Sequence, residues 1–147
     1  MVLARNLVFL IVLLGCNIQS GKNHYILAER LFTDQKYSAS VQEFRKVVDS
    51  DPKSVLSQQA LFRIGMIDYL YLDSYQDAIK SFKQFISLSK NDKLIYEAEK
   101  NIGEIYFTKL EDYRSAIDQY KKIIEKYPDS KESDFFYFRR AKSFYSA

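Results

Sequence analysis

An internal repeat of 38 residues constrains the fold of this chain more than any other feature of its sequence. Apolar, aromatic and small residues recur at matching positions in three successive segments. These positions are Tyr37, Ser40, Val41 and Phe44 in the first segment, Tyr75, Ala78, Ile79 and Phe82 in the second, and Tyr113, Ala116, Ile117 and Tyr120 in the third. A repeat of this length is typical of stacked units, because a single unit cannot bury its apolar face alone.

The spacing within each repeat predicts a pair of helices. Apolar residues recur every three or four positions, which places them on one helical face, and no segment alternates as a strand does. In the middle repeat the pattern predicts one helix over about 57–71 and a second over about 75–88. We therefore expect an all-α chain that forms a short right-handed superhelix of three helix pairs and a C-terminal helix. The repeats span about 24–52, 57–90 and 94–128, and the final helix spans 131–147.

Small residues predict where the helices of a pair approach closely. Ser40, Ala78 and Ala116 share one repeat position, and Gly65 and Gly103 share another. A glycine inside a helix costs about 1 kcal/mol relative to alanine. That cost is tolerable where a neighbouring helix crosses and a side chain would clash.

Three polar residues are candidate helix caps. A side-chain oxygen before a helix accepts a hydrogen bond from an otherwise unpaired backbone N–H. Ser54, Asp92 and Ser130 lie 38 residues apart and are each expected to cap the helix that follows.

The repeat resembles the tetratricopeptide repeat. The resemblance rests on Ala60-Leu61-x-x-Ile64-Gly65 followed by Tyr75-x-x-Ala78-x-x-x-Phe82, and on the equivalent residues of the third repeat. The usual period is about 34 residues, so these repeats are a longer variant. The resemblance implies a scaffold in which the first helix of each pair lines a groove.

The first sixteen residues have the layout of a secretory signal. Arg5 precedes an apolar run over 7–14, which is far shorter than the roughly 20 residues that span a bilayer. The ending Leu13-Leu14-Gly15-Cys16 resembles the lipobox of bacterial lipoproteins. The resemblance implies that the chain is cleaved before Cys16 and that the cysteine sulfur carries a diacylglyceride. It also implies that the new amine is acylated, for example by palmitate. The alternative is an ordinary cleaved signal with a chance cysteine. We expect a signal peptide over 1–15, a lipidated tether over 16–23 and a repeat domain over 24–147.

A lipobox, a short tether and repeats of this form together resemble the BamD family of outer-membrane assembly lipoproteins. The resemblance implies a lipid anchor at the periplasmic face of the outer membrane and an outer-membrane β-barrel assembly complex as partner. Asn17 fits this location, because an aspartate after the cysteine would favour retention in the inner membrane. BamD proteins carry more repeats than this chain, so another envelope adaptor, such as a pilus secretin pilotin or a Tol–Pal coordinator, is the alternative.

The sequence offers little for catalysis. The net charge of +3 gives no field that would recruit nucleic acid. His24 is the only histidine and has no cysteine or acidic cluster at ligand spacing, so we expect no metal site. Phosphate-binding and nucleophile motifs are absent. We therefore expect no enzyme, no cofactor and no small-molecule substrate, and an envelope enzyme is the least favoured function.

The remaining candidates are binding surfaces. Carried over from the tetratricopeptide repeat by register, the partner-binding groove is predicted to be lined by Phe62, Met66, Tyr69, Leu70, Lys100, Glu104 and Phe107. A mixture of aromatic anchors and charges suits an extended peptide or a partner helix.

The C-terminal segment is a possible second surface. Its aromatic residues, including Phe135, Phe138 and Tyr145, surround much of the predicted helix, whereas a terminal helix normally needs a polar outer face. Either the helix caps the array and leaves tyrosine hydroxyls in water, or its outer face docks a partner or a second copy.

Replacement of Cys16 with alanine tests the predicted lipid anchor. Stable anchoring needs two or more acyl chains, which the cysteine would supply. We expect Cys16→Ala to give an uncut precursor or a soluble form in detergent phase partitioning. A variant that stays in the detergent phase at the mature size would contradict the lipoprotein prediction.

Overall fold

The computed structural model describes residues 19–147, which form seven helices and contain no strand. The predicted signal peptide, Cys16 and Asn17 lie outside the described residues. Over the described part of the chain, the prediction of an all-α fold is confirmed. The helices are α1 (19–33, as far as it is described), α2 (Tyr37–Ser50), α3 (Val55–Leu70), α4 (Tyr75–Leu88), α5 (Asp92–Thr108), α6 (Tyr113–Lys126) and α7 (Ser133–Ser146). None of these described helices has the length and apolarity that a bilayer-crossing segment requires.

The chain forms two compact units that divide after Leu72. In the first unit, α1 packs on α2. The Ser40 hydroxyl donates a hydrogen bond to the Ala28 carbonyl at 2.8 Å, and both residues are fully buried. The predicted close approach at Ser40 is therefore present.

Helix α1 already includes residues 19–23, which the sequence assigned to the tether. This part of α1 packs closely on α2, because an added Cβ at Gly21 would lie 2.9 Å from the Ser50 hydroxyl oxygen. The tether predicted over 16–23 therefore overlaps the described start of α1.

The core of the first unit lies between α2 and α3, with α1 alongside. Phe44, Val47 and Ile64 are at most 2% exposed. The ring of Tyr25 in α1 meets the ring of Phe44 edge-on at 5.2 Å, an arrangement that aromatic pairs favour. The apolar periodicity therefore identified core positions correctly.

The core of the second unit brings together α5, α6 and α7. Its buried cluster consists of Phe107, Ala116, Tyr120, Ile123 and Phe136. Ala116 has no exposed surface, as expected for the small-residue position of the repeat.

Gly103 is needed because Tyr120 packs against it. A Cβ added to Gly103 would lie only 2.8 Å from Cε1 of the Tyr120 ring. This contact is the steric reason for a glycine in mid-helix that the sequence predicted. Gly65, at the equivalent position of α3, is also buried.

One of the three predicted caps is confirmed and two are wrong. Ser54 precedes α3 and accepts a hydrogen bond from the Ser57 amide at 3.1 Å. Asn91, rather than Asp92, caps α5, and Asp92 is the first helical residue, where its negative charge favours the helix N-terminus. Ser130 lies in the turn before α7 and accepts from the Glu132 amide, so it does not cap the helix.

Each pair of helices is joined by a residue with a left-handed backbone. Gln35, Asp73 and Glu111 have φ angles of 59°, 52° and 51° and lie 38 residues apart. Left-handed residues commonly end helices, but the position usually holds glycine. No sequence pattern indicated this recurrence, because none of the three residues is a glycine or an asparagine.

Substitution of Gly103 with alanine tests the packing of α6 on α5. Alanine should gain about 1 kcal/mol in helix propensity. Overpacking typically costs about 1–3 kcal/mol, and the fully buried Tyr120 ring cannot move away easily. We expect a net loss of stability, measured by denaturant unfolding.

The matched control repeats the substitution in a Tyr120→Leu background. Without the ring, Gly103→Ala should lose most of its destabilising effect. An equal effect in both backgrounds would contradict the steric role of Tyr120.

Candidate partner-binding surfaces

The predicted groove residues of α3 form a partly exposed apolar surface in the first unit. Phe62, Met66 and Tyr69 are half-buried, and Leu70 is 52% exposed. Their spacing places them on neighbouring positions of one helical face. Leu70 is thus the most exposed residue of this surface.

A charged contact fixes α1 to α3 beside this surface. The Arg63 guanidinium donates two hydrogen bonds to the Glu29 carboxylate, of which the Nε–Oε1 bond is 2.8 Å long. The same guanidinium lies 4.6 Å from the centre of the Phe32 ring. Two parallel hydrogen bonds and a cation–π contact restrain the orientation of Arg63. No sequence pattern indicated the pair of Arg63 and Glu29.

His24 also connects helices of the first unit. Its Nδ1 lies 2.6 Å from Oε2 of Glu43 in α2, and Glu43 also accepts a hydrogen bond from Lys46. The hydrogen bonds from Lys46 and His24 hold the pKa of Glu43 below its usual value. Among residues 19–147, no group of three or more histidine, cysteine or acidic residues is placed to hold a metal ion.

The predicted groove residues Lys100 and Glu104 are engaged within the second unit. Lys100 Nζ donates to a Glu132 carboxylate oxygen at 2.7 Å, and Arg139 donates to Oε2 of Glu104 at 2.7 Å. The two ion pairs connect α5 to α7 and to the turn before it. The side chains of Lys100 and Glu104 are each 22% exposed. Their charges serve the contact with α7 and leave little surface for a partner.

Phe107 is a core residue rather than an accessible lining residue. Its exposure is 8%, because the Arg139 guanidinium lies 4.6 Å from its ring centre and Tyr113 packs edge-on at 5.8 Å. The expectation that Phe107 lines an open groove is therefore not met by the structure. Register alone could not show that α7 would cover this ring.

A polar network that no sequence pattern indicated lies at the start of α7. The Tyr96 hydroxyl donates to Oε2 of Glu132 at 2.6 Å and lies 2.8 Å from the Ser130 hydroxyl. Burial, and then the neighbouring Glu132, raise the pKa of Tyr96 to about 12. The hydrogen bond from Lys100, and then that from Tyr96, lower the pKa of Glu132. The network holds the turn before α7 against α5.

Helix α7 exposes most of its aromatic residues. Phe138 is 62% exposed, Tyr145 is 95% exposed and Phe135 is 39% exposed, whereas Phe136 is buried. Phe138 and Tyr145 lie 38 residues after Lys100 and Phe107, so they occupy the same repeat positions as the predicted groove residues of α5. The predicted second surface thus includes the groove positions of α7.

The repeats match a known family over part of the chain. Residues 59–91 and 101–130 match the sequence model of the tetratricopeptide repeat. The chain contains tetratricopeptide repeats. Such repeats typically form scaffolds for protein–protein interaction rather than enzymes. No curated protein matches the chain significantly.

Titration of Tyr96 tests the network at the start of α7. A pKa raised from about 10 to about 12 means that the neutral phenol stabilises the fold below pH 10, and that this contribution is lost as the pH rises towards 12. We expect the ultraviolet difference spectrum between wild type and Tyr96→Phe to titrate near pH 12.

Glu132→Gln is the control for the electrostatic part of this shift. Removal of the carboxylate charge should lower the pKa of Tyr96 towards its ordinary value. A difference spectrum that titrates near pH 10 in the wild-type protein would contradict the network.

Proposed function

We propose that this protein is a lipid-anchored adaptor of the bacterial envelope, which binds protein partners in the periplasm and acts in outer-membrane β-barrel protein assembly. The observation that carries the scaffolding role is the combination of tetratricopeptide repeats with exposed apolar side chains at their groove positions. These side chains are Leu70 in α3 and Phe138 and Tyr145 in α7.

Exposed aromatic side chains suit protein binding. Aromatic residues dominate the free energy of binding at many interfaces, because a large apolar surface is buried at a small entropic cost. Lys142 is also exposed and lies between Phe138 and Tyr145 in the sequence, on the same helical face. Such a face favours a partner segment that offers apolar side chains and an acidic residue.

The anchor and the location rest on the amino-terminal sequence. The ending at Cys16 supports lipidation, and Asn17 supports the outer membrane. Residue 19 is already helical, so only three Cα–Cα steps, or at most about 11 Å, separate Cys16 from α1. A lipid on Cys16 would therefore keep the start of α1 close to the membrane surface.

A second candidate is another envelope adaptor, of the pilus secretin pilotin or Tol–Pal coordinator type. The observation that favours it is the repeat itself, since adaptors of this type carry the same tetratricopeptide motifs. Both candidates need a lipid anchor and a protein-binding scaffold, so they differ only in the partner.

Affinity purification from native membranes tests the proposed function. The tagged protein is extracted in detergent, and its partners are identified by mass spectrometry. An outer-membrane β-barrel assembly protein would support the first candidate. A secretin, or a peptidoglycan-linked protein, would support the second and overturn the first.

A double substitution tests the role of the α3 surface in partner binding. We expect Phe62→Ala with Tyr69→Ala to abolish recovery of the main partner, because both aromatic anchors are lost. Gln76→Ala with Gln84→Ala on exposed positions of α4 is the matched control. Circular dichroism verifies that the helices persist. A folded Phe62/Tyr69 variant that recovers the partner at wild-type yield would contradict this assignment.

A further inference from the structure

One face of α1 combines exposed apolar side chains with cations. Ile26 is 68% exposed and Leu27 is 42% exposed. Lys22 lies one turn before Ile26 and Arg30 lies one turn after it, and both cations are exposed. At 1.5 Å per residue, Lys22, Ile26 and Arg30 form a stripe about 12 Å long. This stripe and the adjoining Leu27 form the outer face of α1.

The outer face points away from α2. Gly21 and Ala28 are buried on the side of α1 that packs on α2, where the Ser40 hydroxyl donates to the Ala28 carbonyl at 2.8 Å. Ile26 and Ala28 are two residues apart, and such residues lie on nearly opposite sides of a helix. The contacts with α2 therefore fix the direction in which the outer face points.

The cations of the outer face have no anionic partner in the described part of the chain. Neither Lys22 nor Arg30 forms an ion pair with a residue in 19–147. Both side chains are exposed and are flexible enough to reach a negatively charged group beside the helix. The outer face is thus positively charged as well as apolar.

Nearby carboxylates are engaged by other cations. Glu29, the acidic residue of α1 as far as the helix is described, accepts two hydrogen bonds from Arg63 of α3. Asp34, which follows the helix, lies 4.0 Å from the Lys36 ammonium. The exposed residues of α1 among 19–33 include no acidic residue, so little on this face would repel an anionic surface.

This chemistry suits the surface of an anionic membrane. Apolar side chains of an interfacial helix enter the boundary between headgroups and acyl chains, while lysine and arginine extend to the lipid phosphates. The position of α1 favours a membrane over a protein surface, because at most about 11 Å separates Cys16 from residue 19. A link this short makes a second contact effectively intramolecular, so even a small face is occupied.

We propose that the outer face of α1 binds the surface of the membrane that holds the lipid anchor, with the axis of α1 parallel to the bilayer. Ile26 and Leu27 enter the headgroup boundary, and Lys22 and Arg30 contact anionic lipids. The inference rests on the proposed function in one respect, because the lipid on Cys16 brings α1 to the membrane. The contact sets the orientation of the first unit on the bilayer, which an anchor alone would leave free.

A single tryptophan reports this contact, because the chain contains none of its own. The mature lipidated chain with Ile26→Trp is reconstituted in vesicles of phosphatidylglycerol and brominated phosphatidylcholine. Bromine on the acyl chains quenches an indole that enters the bilayer. We expect an emission at least about twofold lower than in the same vesicles without bromine, since an interfacial helix buries its apolar face at this depth.

The matched control places the tryptophan at Gln42, an exposed position of α2. Its emission should be the same with and without bromine, because α2 lies behind α1. Lys22→Glu with Arg30→Glu in the Ile26→Trp chain should remove most of the quenching, since the reversed charges are repelled by phosphatidylglycerol. The substituted positions are all exposed, and circular dichroism verifies that each variant is folded.

Mass spectrometry of the mature protein tests the lipid on Cys16 separately. If the lipid is absent, the anchor in the proposed function is wrong. The same chain is then coupled through Cys16, its only cysteine, to a maleimide lipid in the vesicles. The quenching measurement on the coupled chain still decides whether the outer face of α1 binds the membrane.

Three results would overturn the proposal. The first is quenching of Ile26→Trp that does not exceed that of Gln42→Trp. The second is quenching that the double charge reversal leaves unchanged. The third is a blue-shifted emission of Ile26→Trp without quenching, together with chemical crosslinking of the chain to itself, which would make a second copy the occupant of this face.

Discussion

The packing of the Tyr120 ring on the backbone of α5 at Gly103 is the contact on which the second unit depends. The ring is fully buried and lies where no side chain at position 103 would fit. Its hydroxyl donates to Oε1 of Glu104, and the other oxygen of that carboxylate accepts from Arg139 in α7. Phe136 of α7 packs against the same ring. One residue of α6 thereby positions both α5 and α7, and with them the exposed face of α7.

Ion pairs connect helices within each unit but contribute little to the free energy of folding. Glu29 with Arg63, and Lys100 with Glu132, link residues 34 and 32 positions apart. All four side chains are at least 22% exposed, and pairs of this kind contribute about 0–1 kcal/mol. Burial of the apolar cores dominates the free energy of folding. Within each unit, the pairs connect residues of successive repeats.

The sequence predicted the helices better than it predicted the surfaces. The second helix of the middle repeat was predicted at its observed bounds, since burial imposes the same apolar spacing on each repeat. The exposure of a groove residue depends instead on which neighbour covers it. Phe107 is covered by Arg139, which no periodic pattern indicates. The prediction of the cap of α5 was wrong for a related reason. Asn91 and Asp92 are both residue types that cap helices well, and only the path of the chain decides between them.

The groove positions of successive repeats differ in whether their side chains contact another part of the fold or are exposed. Their chemistry changes from apolar at Phe62, through charged at Lys100, to apolar at Phe138. In α5 the charged residue holds the start of α7 through Glu132, so it is used for assembly. In α7 the equivalent Phe138 makes no such link and is 62% exposed. Within the second unit, α5 therefore supports the start of α7, and the exposed large apolar side chains among the described residues of this unit lie on α7.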